Sequence, residues 1–189
     1  MTYDIILAGV GGQGVLSIAT IIARSAMLDG LVVRQSEVHG MSQRGGGVQA
    51  HMRLSDTTIT SDLIPSGGAD MILAMEPVES LRYLSFLKPE GILVTAAEPF
   101  VNIGDYPDLE TIYASIRTLK RHRIVSAEAL AKEAGNTKSV NMVLIGAALS
   151  ALPVSEKSVA QSISDTFAKK DPRLVDINML ALKLGEEAK

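Results

Sequence analysis

Hydrophobic residues follow two different rhythms in the first third of the chain. The run YDIILAG, residues 3–9, is almost continuously apolar and ends in glycine, which predicts a buried strand. After the glycines, apolar residues recur every three or four positions, which predicts an amphipathic helix. The run GLVVRQ, residues 30–35, predicts a second strand and completes a βαβ unit with a right-handed crossover. The helical stripe consists of Val15, Ile18, Ala19, Ile22, Ala23 and Ala26.

Strict alternation follows in VQAHMRLS, residues 48–55, and predicts a strand with one polar face. His51 lies on that face, so we expect it to be exposed to solvent or to an interface. DMILAM, residues 70–75, predicts another buried strand. Pro77 suits the first turn of a helix whose apolar side is Val78, Leu81, Leu84 and Leu87.

The second half of the chain is predominantly helical by the same criteria. KPEG ends the helix that starts at Pro77, ILVTAA predicts a strand, and residues 98–112 predict a loop. RIVSAEALAKEAG predicts a short strand and then a helix capped by Ser126. Residues 139–152 predict an apolar helix, and Ser155 and Asp171-Pro172 each open another. The pattern therefore predicts one α/β domain, residues 1–189, with a mainly parallel sheet and a helical C-terminal part.

Composition removes several classes of protein and of site. With 47% apolar and 21% charged residues and a net charge of −3, neither a disordered chain nor a nucleic-acid-binding surface is expected. No run of about 18 apolar residues occurs, and the N-terminus lacks the basic segment of an export signal, so we expect a cytoplasmic protein. Without cysteine the chain cannot hold an iron–sulfur cluster through thiolates. Its three scattered histidines lack the spacing of metal ligands, so no metal site is predicted.

Two glycine-rich segments carry the candidate chemistry. GVGGQG, residues 9–14, lies between a strand and a helix, where glycines and a helix N-terminus favour phosphate. Three hypotheses remain open for it: contact with an anion or cofactor, a turn required by packing alone, or nicotinamide dinucleotide binding. The last would need an acidic residue at the end of the second strand, where Glu37 is a late match.

The second segment, SEVHGMSQRGGG, leaves the carboxyl end of the second strand. Ligands of open parallel sheets bind at that edge, so we expect both glycine segments there. Arg44 can hold a carboxylate or phosphate with two hydrogen bonds, beside Ser42, Gln43, Gly45 and Gly46. His39 is a weak candidate for proton transfer, and a structural histidine is favoured. Glu76 is interpreted first as a carboxylate at a helix N-terminus.

GVGGQG followed by EVHGMSQRGG resembles the gamma-type domain of the 2-oxoacid:ferredoxin oxidoreductases, and most closely the branch that acts on indolepyruvate. The resemblance runs over nearly the whole chain. It implies a Rossmann-like three-layer α/β domain in a complex that oxidatively decarboxylates 2-oxo acids to acyl-CoA, with ferredoxin as electron acceptor.

The resemblance also implies a division of labour between subunits. Thiamine diphosphate and 4Fe–4S clusters would belong to a partner alpha subunit, and the isolated chain would be inactive. The motif residues would face that partner or contact coenzyme A; they are Gly11, Gly12, Gln13, Gly14, Ser42, Gln43, Arg44, Gly45 and Gly46. The alternatives are a gamma subunit acting on pyruvate or 2-oxoglutarate, a pure interaction module, and a free-standing NAD(P)-binding protein.

Overall fold

A computed structural model describes residues 1–39, 45–101 and 104–188, without the side chain of His39. Within these residues, six strands form one sheet: β1 (Thr2–Val10), β2 (Val32–His39), β3 (Gly47–Ser55), β4 (Ala69–Ala74), β5 (Leu87–Ala96) and β6 (His122–Val125). The α-helices of the same residues surround it: α1 (Val15–Leu28), α2 (Pro77–Arg82), α3 (Leu109–Arg117), α4 (Ala127–Glu133), α5 (Val140–Ala148), α6 (Glu156–Phe167) and α7 (Pro172–Glu187).

The spatial order of the strands is β2-β3-β1-β4-β5-β6. Strands β1, β4, β5 and β6 are parallel neighbours, whereas β3 runs antiparallel between β1 and β2. The prediction of an α/β fold with a mainly parallel sheet is confirmed. The strands of the expected βαβ unit, β1 and β2, run in the same direction but are not neighbours, because β3 lies between them. Local periodicity does not reveal this insertion.

Two apolar clusters lie on opposite faces of the sheet and make three layers. The larger joins α1, α4, α5, α6 and α7 to one face, and the smaller joins α2 and α3 to the other. In β1, Ile5 and Leu7 point into the larger cluster, while Ile6 and Ala8 point into the smaller. A strand buried on both faces is continuously apolar, which explains YDIILAG.

Three local predictions are wrong. Helix α2 ends at Arg82, and a 3₁₀ turn at Leu84–Phe86 leads into β5, so Leu84 and Leu87 do not extend its apolar side. Residues 98–112 are not all loop, because α3 begins at Leu109 with Asp108 accepting a hydrogen bond from the Thr111 amide. His51 is buried rather than solvated, since residues up to Ile64 cover the polar face of β3.

The helical C-terminal part is confirmed and closes the larger cluster. Ser155 and Asp171 cap α6 and α7 through their side chains, as their positions predict. Helices α5 and α7 touch backbone to backbone at Gly146 and Gly185, where a methyl group would come within 1.9 to 2.0 Å of a carbonyl oxygen of the opposite helix. In the described parts of the chain, no helix combines the length and apolarity needed to cross a bilayer.

Candidate functional site at the glycine-rich edge

The two glycine segments meet at the carboxyl edge of the sheet. Because β3 returns antiparallel beside β1, its first residue Gly47 is the neighbour of Val10, the last residue of β1. The Gly11 amide donates to the Gly46 carbonyl over 2.8 Å, and the Gly45 amide donates to the Gly11 carbonyl over 3.3 Å. The expectation that both segments share one edge is confirmed for these residues, and they form a single surface.

Gln13 is occupied within the protein rather than free for a ligand. Its Oε1 accepts from the Val10 amide over 2.7 Å, and its Nε2 donates to the Met75 carbonyl over 3.2 Å. The carboxamide thus ties the end of β1 to the residue that follows β4. Gln13 positions the turn, a role that the sequence pattern does not distinguish from ligand contact.

Helix α1 starts from a glycine in the left-handed region. Gly14 has φ 88°, and its carbonyl accepts from Asn141 Nδ2 over 3.2 Å. A Cβ at Gly14 would come within 2.8 Å of that nitrogen. Only glycine meets both requirements, the positive φ and the close approach of α5. Asn141 is part of this site and was missed in the sequence because α5 is distant along the chain.

The outer side of the turn is open. Gly12 has φ 104°, and nothing lies within 4 Å of where its Cβ would be. Among the described residues, the amides of Gly12 and Gly14 have no acceptor. They border a cleft of about 260 Å³ at the N-terminus of α1, lined by Val10, Gly11, Gly12, Gly14, Val15, Leu16 and Val48. Such amides and the helix dipole favour an anion or a polarised carbonyl.

A second pocket of about 300 Å³ lies between α1, α5, α6 and α7. Asn141 lines it and also bonds the glycine turn, so the two cavities are neighbours. Lys138 and Lys170 contribute its charges, and no carboxylate of the described residues lines it. In the same part of the chain neither ammonium group forms an ion pair, although Lys170 lies 5.9 Å from the centre of the Phe167 ring. The pocket is therefore electropositive and polar.

Two buried carboxylates, Glu76 and Glu79, lie next to the glycine-rich edge. Glu76 caps α2 through the Glu79 amide, 2.8 Å away, and also accepts from the Tyr106 hydroxyl, which confirms its interpretation as a helix N-terminal carboxylate. Glu79 lies under β3, with Oε2 3.1 Å from the Cβ position of Gly47, and pairs with Arg82. Burial raises the pKa of Glu79, and Arg82 opposes that shift. Gly47 is thus a glycine because a carboxylate occupies the space beside it.

The other residues considered in the sequence analysis either lie away from this site or lie outside the described residues. Ser42, Gln43 and Arg44 lie outside the described residues, as does the side chain of His39, whose backbone ends β2. His51 is internal, since its Nδ1 accepts from the Ile64 amide over 3.0 Å and its Nε2 lies 2.6 Å from Gln49 Nε2. Burial lowers the pKa of His51.

Comparison with known proteins identifies the architecture. The pyruvate ferredoxin/flavodoxin oxidoreductase family matches residues 4–188. The chain belongs to this family. It is 39% identical to the indolepyruvate oxidoreductase subunit IorB of Archaeoglobus fulgidus, over 98% of the chain and 94% of that protein. It is 40% identical to the IorB of Pyrococcus horikoshii, over 98% of the chain and 95% of that protein.

Solved structures agree on the fold. The 2-oxoglutarate:ferredoxin oxidoreductase of Magnetococcus marinus superposes with a TM-score of 0.79 at 24% identity, over 98% of this chain and 30% of that longer chain. The pyruvate oxidoreductase subunit PORC of Thermotoga maritima superposes with a TM-score of 0.75 at 22% identity, over all of this chain and 97% of that one. The chain is a small subunit of a multi-subunit 2-oxoacid:ferredoxin oxidoreductase.

Proposed function

We propose that this chain is the small subunit of an arylpyruvate:ferredoxin oxidoreductase, with indolepyruvate as the representative substrate. The observation that carries the proposal is its identity of 38 to 40% to three IorB subunits across 98% of its length. The 2-oxoglutarate synthase subunit KorC of Methanothermobacter thermautotrophicus is 30% identical. The higher identity favours the aryl branch over the 2-oxoglutarate alternative.

In the proposed complex, the partner subunit holds thiamine diphosphate and the 4Fe–4S clusters and passes electrons to ferredoxin. This chain has no cysteine with which to ligate a cluster. Its own contribution is the glycine-rich edge, which docks on that partner. Ser42, Gln43 and Arg44 connect β2 to Gly45 in the sequence, so their contact with the partner or with coenzyme A stays a prediction from the sequence motif.

The edge is also a proposed contact for coenzyme A. The amides of Gly12 and Gly14 suit an anionic group, and Lys138 and Lys170 in the neighbouring pocket suit further phosphates. The Magnetococcus marinus 2-oxoglutarate:ferredoxin oxidoreductase, of which this chain matches 30%, was solved with coenzyme A bound, so the ligand has a precedent in an enzyme that contains this fold. Gln13 and Asn141 would hold the turn in shape rather than touch the ligand.

The strand order argues against a free-standing dinucleotide-binding protein. In such proteins the acidic residue that binds the ribose ends the strand next to the glycine turn. Here β3 lies between β1 and β2, which moves Glu37 one strand further away, by about 4.8 Å. Calorimetry with NAD(P)H at about millimolar concentration should show no binding, which corresponds to a free energy weaker than about −4 kcal/mol.

The decisive experiment is co-purification of this chain with its proposed large partner subunit, followed by a viologen-linked assay over several 2-oxo acids. We expect a stable complex that reduces the dye with arylpyruvates best, while the chain alone is colourless and inactive. Activity of the isolated chain on indolepyruvate would contradict the proposal. A complex that prefers pyruvate or 2-oxoglutarate would contradict only the substrate assignment.

The coenzyme A contact has its own test in the assembled enzyme. Lys138→Ala and Lys170→Ala should each raise the KM for coenzyme A about tenfold, because each removes a charge-assisted contact, with kcat nearly unchanged. Lys169→Ala is the matched control, since Lys169 is exposed nearby but does not line the pocket. Unchanged KM values in both pocket variants would show that the edge serves assembly alone.

A further inference from the structure

Strand β2 forms one lateral edge of the sheet and carries exposed apolar side chains. In the described part of the chain it pairs only with β3. Since an antiparallel strand uses alternate residues toward each neighbour, about half of its backbone groups point away from β3. The strand spans eight residues, Val32–His39, and contains neither a proline nor a bulge in its pairing with β3. Proline and bulges are two of the devices that protect edge strands in natural proteins; the charged residues Arg34 and Glu37 supply a third.

Two valines on one face of this strand are left exposed. Val32 is 41% exposed and Val38 is 55% exposed, although both belong to a β-strand. They lie three residues before and three residues after Gln35, so these two exposed valines are symmetric about that residue, whereas Val33 on the opposite face has Glu37 at its mirror position. Even-numbered positions share a face, which places both valines beside Arg34 and Ser36.

We propose that β2 pairs with β2 of a second copy of this chain, antiparallel, about a two-fold axis through Gln35. An axis perpendicular to the sheet keeps each face continuous, so residues of the same parity must oppose one another. With Gln35 on the axis, Val32 of each copy opposes Val38 of the other, and Arg34 opposes Ser36. The two six-stranded sheets become one sheet of twelve strands.

Charge selects this register over its neighbours. An axis through Arg34 would set the two guanidinium groups directly opposite each other, which is unfavourable across strands. An axis through Ser36 would oppose Val38 with Arg34 and leave Val32 without an apolar partner. With the axis at Gln35 the two Arg34 side chains are only diagonal neighbours, and Asp62 of the same copy lies 3.8 Å from each as a counter-charge.

The predicted dimer is weak. A contact restricted to one strand from each copy lies at the small end of specific interfaces, below about 1,200 Å². Sedimentation equilibrium of the full chain from about 5 to 500 μM should therefore show a monomer giving way to a dimer and to nothing larger, as expected for association driven by a small interface.

A matched pair of variants tests the valine contacts. Val38→Lys should weaken dimerisation about tenfold, because it replaces the apolar pair at both ends of the symmetric contact. Val101→Lys makes the same change at another exposed valine, 67% exposed and outside β2, and should leave dimerisation unchanged. A dimer that responds equally to both variants, or to neither, overturns the proposal.

Engineered cysteines test the register, since the chain has none of its own. Gln35→Cys should form an intermolecular disulfide under mild oxidation, because directly opposed Cα atoms lie about 4.5 to 5.5 Å apart, within the range that a disulfide bridges. Ser36→Cys, whose copies would be diagonal at about 7 Å, and Lys183→Cys on α7 should not. Cross-linking at Ser36 or Lys183 as fast as at Gln35 overturns the register.

An experiment on the assembled oxidoreductase distinguishes a second copy of this chain from a strand of the partner subunit as the neighbour of β2. If the thiol introduced by Gln35→Cys stays unlinked in the isolated chain at all concentrations and becomes protected from alkylation only on complex formation, a partner strand covers β2. That result would overturn self-pairing. Disulfide formation in both the isolated chain and the complex supports a second copy at this edge.

Discussion

At the scale of single residues, the glycine turn is defined by side chains that lie far away in the sequence. Gln13 bonds the Met75 carbonyl, and Asn141 bonds the Gly14 carbonyl. A G-x-G-x-x-G pattern shows that close approach is needed but not what approaches. In this chain a side chain of the protein itself, Asn141, fills the space beside Gly14, whereas the space beside Gly12 is open.

Gly14→Ala should destabilise the folded chain and disturb the site together. The left-handed φ costs a non-glycine residue about 1 to 2 kcal/mol, and the close approach of Asn141 adds to that. Urea denaturation should show a loss of about 2 kcal/mol or more in the free energy of unfolding. Gly104→Ala is the control, since it has open space and no positive φ; an equal loss there would contradict this explanation.

At the scale of elements, the start of α4 shows a helix capped by a residue distant in sequence instead of by the serine at its N-cap position. Ser126 occupies the N-cap position, but its side chain makes no capping hydrogen bond. Glu98, which follows β5, accepts from the Ala127 amide over 3.1 Å and the Glu128 amide over 3.2 Å. The prediction that Ser126 caps the helix is therefore wrong in its contacts, because the longer carboxylate side chain of Glu98, in the segment after β5, accepts from the first amides of the helix.

This arrangement predicts unequal effects of two truncations. Glu98→Ala should lower the free energy of unfolding by about 1 to 2 kcal/mol, as expected for loss of a helix cap. Ser126→Ala should change it by less than about 0.5 kcal/mol, the usual range for substitutions that remove no specific contact. Thermal or urea unfolding of both variants compares the two residues directly, and a larger effect at Ser126 would refute the assignment.

The contact between α5 and α7 has no tolerance for a methyl group. A Cβ at Gly146 would lie 1.9 Å from the Leu182 oxygen, and one at Gly185 would lie 2.0 Å from the Val143 oxygen. Gly146→Ala should therefore cost about 3 kcal/mol or more, although alanine favours helices by about 1 kcal/mol.

Gly185→Ala touches the same contact from the other helix and should have a similar effect. The double variant should then cost less than the sum of the two single changes, since one separation of the helices relieves both clashes. Chemical denaturation of the three variants measures this. Wild-type stability in either single variant would show that α5 and α7 are further apart than described.

At the scale of the whole molecule, burial of His51 connects folding to pH. Covering the polar face of β3 lowers the pKa of His51 in the folded state, so the unfolded chain binds its proton more readily. Its contribution to stability is therefore complete above the unfolded pKa of about 6.5 and is lost as pH falls through that value toward the lower folded pKa.

We expect the free energy of unfolding to fall between about pH 7 and pH 5, and His51→Gln to make that fall shallower. At about pH 8, where histidine is neutral in both states, the two proteins differ only by the fixed cost of the substitution. The comparison is made by urea denaturation at each pH. Parallel pH profiles for the two proteins would show that a group other than His51 causes the loss of stability at acidic pH.

The class of fold, the positions of most strands and of the C-terminal helices, and the family can all be predicted from the amino-acid sequence. These follow from periodicity and from the motifs GVGGQG and EVHGMSQRGG, which are local properties. Long-range contacts place β3 between β1 and β2, end α2 at Arg82, and make Glu98 rather than Ser126 the cap of α4. Each of those outcomes depends on which distant segment offers the better hydrogen-bond or packing partner, and that competition is settled by contacts between residues far apart in the chain.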